Sequence, residues 1–407
     1  MEMRQWFAVG ATATLLTVVG PPGMVAAATP EVSGRSSTVF EWYGTANDKM
    51  VTPFYQYLML NAKNLDGDGL NFRGYGRLAE SFSSEVDSES RLYYAYLEKN
   101  NLTSNLDAKI GRQFVTTTAG ASVMDGLYLR LRDVGGLKLS VFGGGDVAYY
   151  QGYNAKDYLA GVELRGKVGK DLNLGVSYLQ KWQHGDLGYE LIGLDGDYEF
   201  RELLNLYSEL QYSYLSKSVT YFSGGANYHR SSDWSLRAEY LYSLPVFSST
   251  SIYSVFAVDH YEELMGELRY RLDQGLYGFF RYQREMYEET ADATVVEAGL
   301  EKIRTGNFSG YASGVLRNDK NGQDLKGIKV HGAYMFTKAL QCGLGADINV
   351  FQRRLDESND ETSSSDYWAD ASYDFTRKIG LQVKAERVSS QLWNDYFRGR
   401  VRLNVSF

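Results

Sequence analysis

Few residues of this 407-residue chain have the types and spacing that catalysis requires. None of the four histidines, His184, His229, His260 and His331, sits in a Ser/His/Asp setting, and no pair of them has metal-ligand spacing. Asp66-Gly67-Asp68-Gly69 opens like a calcium loop, lacks the later ligands, and reads as a turn. The single Cys342 alternates with Leu340 and Leu344, so it is expected on an apolar face, reduced and inert. One cysteine permits neither an internal disulfide framework nor a Cys-x-x-Cys-His haem attachment. The expectation is therefore no enzyme, no metal and no cofactor held by the chain itself.

What recurs instead is charge at every second position. The rows are Arg130 and Arg132; Glu163, Arg165 and Lys167; Asp195, Asp197 and Glu199; Arg237 and Glu239; Glu267, Arg269 and Arg271; Lys384 and Glu386; Arg398, Arg400 and Arg402. Period two places each row on one face of a strand. The chemistry on offer is electrostatic: an ion-selective wall, or a hydrated wall whose opposite charges pair across strands. Both signs are interleaved, which favours pairing.

The opposite faces of the same strands are apolar: Leu127, Leu129 and Leu131; Leu137, Leu139 and Val141; Tyr158, Ala160, Val162 and Leu164; Leu172, Leu174, Val176 and Tyr178. The pattern continues through Trp234 to Tyr240, Leu264 to Tyr270, Leu340 to Val350 and Leu381 to Ala385. Alternation sustained over such a length predicts strands nearly everywhere. Outside the first thirty residues no apolar run approaches the roughly 20 residues of a membrane helix, and mean hydropathy is negative. Only 5 prolines are present against 42 glycines and 33 tyrosines.

Short turns are expected at Asn64 to Gly69, Asn100 to Asn105, Gly135-Gly136, Gly169-Lys170, Arg201-Glu202, Ser231-Ser232, Asp273-Gln274, Thr305-Gly306, Thr337-Lys338 and Arg377-Lys378. Between them fall longer, often acidic stretches: Ser83 to Glu89, Pro245 to Asp259 and Asp356 to Asp366. About ten short turns imply about twenty strands; a first strand near Thr38 and a last one ending at Phe407 make about twenty-two, a range of about 18–22. A charge facing mid-bilayer lipid costs about 2–4 kcal/mol for Arg or Lys, so the charged rows are expected to line a lumen and the apolar rows to face lipid. The fold expected is all-β: a transmembrane, antiparallel, up-and-down β-barrel without a plug domain.

Both ends of the chain carry signals of location. Arg4, the apolar run Trp6 to Val19, the Pro21-Pro22-Gly23 break and Ala26-Ala27-Ala28 read as a secretory signal peptide over 1–28, cleaved before Thr29. A short segment, 29–37, would then lead into a barrel over 38–407, which leaves no room for a plug. The last strand, WNDYFRGRVRLNVSF, puts Phe397, Val401, Leu403, Val405 and Phe407 on one face and three arginines on the other. A terminal strand closing on Phe resembles the end of bacterial outer-membrane β-barrels, and the resemblance implies that Phe407 is read by the barrel-assembly machinery. A multi-pass barrel of the outer membrane, in contact with its lipid and lipopolysaccharide, is the expected setting. Acidic loop residues such as Asp356, Glu357, Asp360 and Glu361 could hold divalent cations against lipopolysaccharide, although a solvated loop is the simpler reading. The net charge of -8 argues against a nucleic-acid partner.

A wide barrel with short loops and no plug would leak unless something filled it. In strand number, loop length, absent plug and tyrosine content the chain resembles the porin component of outer-membrane porin–cytochrome electron conduits. That resemblance implies a passive conduit sheathing a multihaem c-type cytochrome, with haem present only through that partner. The alternative is a general or substrate-specific porin for small hydrophilic solutes, with a loop folded inward.

Overall fold

In the computed structural model, residues 30–45, 49–82, 89–147, 156–231, 233–245, 259–319, 324–352, 361–390 and 393–407 are described. The expected signal peptide, the loop segments 83–88, 246–258 and 353–360, and with them Asp356, Glu357 and Asp360, lie outside the described residues.

The strands are β1 Glu31–Gly44, β2 Met50–Val51, β3 Pro53–Lys63, β4 Leu70–Ser81, β5 Arg91–Thr103, β6 Leu106–Thr117, β7 Gly120–Val134 and β8 Leu137–Asp146. They continue as β9 Tyr158–Val168, β10 Leu172–Gln183, β11 Asp186–Phe200, β12 Leu204–Ser213, β13 Ser218–Ser231, β14 Trp234–Ser243, β15 Tyr261–Asp273 and β16 Leu276–Tyr287. The last are β17 Ala293–Lys302, β18 Phe308–Asp319, β19 Leu325–Met335, β20 Leu340–Gln352, β21 Glu361–Asp374, β22 Ile379–Ser390 and β23 Trp393–Ser406. β1 begins at Glu31, so the stretch read as a leader before Thr38 forms the first half of a strand. Glu361 to Asp366, expected in a long loop, open β21, and Asn100 to Thr103 belong to β5, which tightens that turn to Ser104 and Asn105.

Apart from the short β2, which pairs with β1, consecutive strands pair antiparallel, and β1 pairs with β3 on one side and with the last strand, β23, on the other. Its register runs from Glu31 opposite Lys63 to Phe40 opposite Phe54 on one side, and from Arg35 opposite Ser406 to Tyr43 opposite Arg398 on the other. The two-residue β2 continues β3 along β1 beyond Thr52, so the wall has twenty-two staves and is closed. Closure leaves no unpaired sheet edge, the condition for crossing a bilayer with strands. Two-residue turns need positive φ at their centre, which Gly135 and Gly136 supply at 66° and 87°.

The apolar alternation is exposed, as expected of a lipid-facing wall. Leu127, Val141, Leu174, Leu194, Leu268 and Leu344 all stand out from the barrel, Leu344 with 70% of its surface free. A soluble protein would not leave such a belt in water. Among the described residues, a cluster of buried apolar side chains sits elsewhere: Val115, Ala119, Met124, Phe142, Leu159, Leu179 and Leu191, on or against the polar face of β8 to β11.

Candidate functional site

The buried cluster exists because β6 and β7 leave the wall. Pairing of β5 with β6 stops at Ala95 opposite Arg112, and pairing of β7 with β8 stops at Met124 opposite Asp146. Beyond those points residues 113–117 of β6 pair only with β7, as a free hairpin. A row of glycines marks the crease: Gly111 opposes Gly126, and Gly126 opposes Gly144. Gly111 has φ 125°, and a Cβ on Gly126 or Gly144 would strike the backbone of the other strand. Only glycine lets strands approach and bend in this way. Where β6 departs, the Arg112 guanidinium donates to the Leu92 carbonyl of β5 at 3.2 Å and grips Asp125 at 2.7 and 2.8 Å. The side chain thus serves the carbonyl at the point where the sheet splits.

The hairpin crosses the polar face of β8 to β11 and is tied at its tip. The Ala119 N–H donates to Ser177 Oγ at 2.8 Å, Gln211 Nε2 donates to the Ala119 carbonyl at 2.9 Å, and Thr118 Oγ1 donates to Asp195 at 2.5 Å. Asp195 also receives Arg165 at 2.9 Å, and Arg165 reaches Glu163 at 2.7 Å, so three of the expected row residues anchor the tip. Beneath it, Gly193 leaves room for the backbone of Thr118 and Ala119. Ser122 donates to Asp146, which also faces Lys181 at 3.4 Å. Sequence reading missed this hairpin. Its traces were Phe142, Leu159, Leu179 and Leu191, which place apolar side chains on a face whose other positions are charged.

The remaining charged positions share the same face, and most pair along or across strands. Arg132 lies 3.5 Å from Asp107, Arg237 meets Glu239 at 2.6 Å, Glu267 meets Arg281 at 2.6 Å, Arg269 meets Glu301 at 2.7 Å and Arg271 meets Asp233 at 2.6 Å. Lys384 and Arg398 both grip Glu386, and Arg398 lies 3.5 Å from Asp366. Asp197 accepts from Asn205 at 2.8 Å, and Arg130 donates to the Tyr128 hydroxyl at 3.3 Å. Lys167 and Glu199 are exposed. Arg400 and Arg402, like Arg130 and Lys167, have no carboxylate within 4.0 Å among the described residues.

Neither the histidines nor the acidic turn forms a reactive centre. His331 Nε2 is 3.0 Å from Asp370 and its ring stacks at 6.0 Å on Trp368, whose own ring lies over Gly345. His260 bridges Glu262 and Glu288 at 3.2 and 2.9 Å. In the Asp66 turn the Lys99 ammonium occupies the position a cation would take, 2.6 Å from Asp66 and 3.0 Å from Asp68. That ammonium and the N–H groups of Leu70 and Asp68 hold the Asp66 carboxyl well below the usual carboxylate range. Among the described residues no three His, Cys, Asp or Glu side chains are grouped to bind a metal.

No family model matches the sequence, and no curated protein matches it. Solved structures do match in fold. The chain is similar to the P pilus usher (PapC) translocation pore at 10% identity and TM-score 0.52, covering 93% of this chain and 99% of that one. It is also similar to OpdQ and to the outer membrane protein OpdK of Pseudomonas aeruginosa, each at 11% identity and TM-score 0.47, with 93% and 99% covered. At these identities the likeness to PapC speaks for a large β-barrel fold and for nothing finer.

Proposed function

We propose that this chain is an outer-membrane channel for passive diffusion of small hydrophilic solutes, its charged face lining the lumen. The observation that carries the reading is the two-sided wall: a closed barrel, apolar on the exposed face, with paired charges and a folded-over hairpin on the other. A charge turned to mid-bilayer lipid costs about 2–4 kcal/mol, and the paired rows would multiply that cost if they faced outward. The expected row residues, from Arg130 to Arg402, are then the pore wall. The hairpin narrows it on one side, which is the inward element a solute channel calls for.

Sheathing a multihaem cytochrome was the leading expectation from sequence, and it presupposed an open lumen. The hairpin across β8 to β11 takes up part of that space, so the solute channel is the better-supported reading. Reconstitution of the purified barrel in planar bilayers tests it: discrete conductance steps are expected. A barrel extracted from native membranes with a stoichiometric haem Soret band, and silent in bilayers, would reverse the order of the two readings.

A further inference from the structure

The polar face of β3 to β5 carries a strip of tyrosines packed ring to ring. Tyr57 stacks on Tyr75 at 6.2 Å, and Tyr75 stacks on Tyr93 at 4.8 Å with planes 21° apart. Tyr55 adjoins Tyr57 at 6.2 Å, Tyr94 adjoins Tyr75 at 5.8 Å, and Tyr96 adjoins Tyr94 at 5.9 Å. Register explains the crowding. β4 meets β5 at Tyr75 opposite Tyr94 and then at Gly76 opposite Leu92. Tyr93 is therefore the extra residue of a bulge, which turns it to the ring that Tyr94 also faces. Both lie just past Ala95, where β5 parts from β6.

Among the described residues Tyr75 and Tyr93 are the closest pair of tyrosine rings. Tyr261 and Tyr287 stand at 5.3 Å but 47° apart, and a carboxylate holds each hydroxyl, Glu263 at 2.5 Å and Glu285 at 3.0 Å. Tyr212 and Tyr214, at 5.4 Å, meet edge to face at 87°. Only the Tyr75–Tyr93 pair combines a separation under 5 Å with nearly parallel planes. Such rings set carbon against carbon, so a bond between them needs no encounter by diffusion.

We propose that Tyr75 and Tyr93 form an oxidative modification site, joined by a dityrosine bond when a peroxide-class oxidant reaches the polar face. Each phenol gives up one electron and its hydroxyl proton and becomes a phenoxyl radical. The two radicals form one carbon–carbon bond between ring positions next to the oxygens. The hydrogens at those positions then move to the oxygens and restore both phenols. Two electrons and two protons leave in all. The O–O bond of the oxidant breaks and its halves take the electrons, as water from hydrogen peroxide or sulfate from persulfate, the protons going to water or solvent. Tyr57 and Tyr94 widen the target, because identical phenols in ring contact exchange an electron and a proton with little change in energy. A radical born on either can pass to the pair that couples. The bond staples β4 to β5 beside the crease, where β5 gives up its β6 partner. The site stands apart from the channel reading and needs only that small oxidants wet the polar face.

Photolysis of persulfate with the detergent-solubilised full-length barrel tests it. Dityrosine fluorescence is expected, and trypsin should release Gly74–Arg77 joined to Leu92–Lys99, lighter by two hydrogens than the two peptides together. Fragmentation should place the bond between Tyr75 and Tyr93. Y93F should lose the joined peptide, while Y261F, from the next-closest pair, should form it as the parent does. Heat-modifiable gel mobility before oxidation checks that each variant is folded. Barrel unfolded by heat before the same dose should yield the joined peptide about tenfold less, because the rings are no longer held together. Three results would each overturn the site: no dityrosine in the parent, a folded Y93F that yields the joined peptide as the parent does, or equal yield from folded and unfolded protein.

Discussion

Substituting Gly193 by leucine should lift the β6–β7 hairpin off the wall and widen the pore. A Cβ at Gly193 meets the Ala119 nitrogen and the Thr118 carbonyl carbon, which are backbone atoms and cannot rotate aside. The docked hairpin is held by three hydrogen bonds at its tip, each worth about 0.5–1.5 kcal/mol. Burial of Val115 and Met124, at 4% and 0% exposure, adds about 1.5–3 kcal/mol each. Docking is therefore worth roughly 4–11 kcal/mol. A single methyl costs about 1–3 kcal/mol by overpacking, so G193A should strain the contact and leave it docked. Leucine adds three more carbons under the same backbone, and undocking becomes the cheaper response.

The consequence for current follows from dimensions. Twenty-two staves about 4.8 Å apart and tilted about 40° enclose a section about 45 Å across, or about 35 Å inside the side chains. A hairpin two strands wide and one sheet layer thick fills about 100 Å², near a tenth of that area. Single-channel conductance of G193L should rise by about a tenth, and G193A should match the parent. Cysteine accessibility supplies the independent reading: A119C, at a fully buried position, should resist maleimide in the parent and label readily beside G193L. Rapid labelling of A119C in the parent, or unchanged conductance once labelling has shown the hairpin undocked, would refute the reasoning.

At the crease, G126V and G144V each drive a side chain into the facing strand, and both should lose the folded, heat-modifiable gel band. On the exposed face, L344R places a cation at a position 70% free; urea unfolding in liposomes should register a loss of about 2–4 kcal/mol, near zero if that position faced water. The Asp66 carboxyl is held below its unfolded value by Lys99, so its contribution is complete above about pH 4 and is lost as pH falls through the folded value. Carboxyl carbon NMR should show Asp66 still ionised at pH 3, and K99M should return its titration towards the ordinary range. Phe407 closes the seam through two backbone bonds with Gly34, at 3.0 and 3.1 Å, and its ring covers that glycine. G34V should therefore slow assembly into the folded band about as much as F407A does.

The strands and the alternation of their two faces were legible in the chain because period two is a local property. Leu127 beside Arg130, or Leu403 beside Arg402, declares two faces whatever the neighbouring strands do, and the turn spacing supplied a count close to the twenty-two staves found. Three things needed the closed wall. The hairpin's inward fold depends on Gly111, Gly126 and Gly144, separate in sequence and aligned only once three strands are in register. The docking of Ala119 on Ser177 and Gln211 spans residues that meet only because the barrel curves. Which charges are paired is likewise a matter of register: Arg281 finds Glu267 and Glu297 on its two flanks, while Arg402, in an equally regular row, faces Val39 and Gln382 and meets no carboxylate within 4.0 Å among the described residues. Alternation fixes which face a side chain takes; only the pairing of distant strands fixes what it meets there.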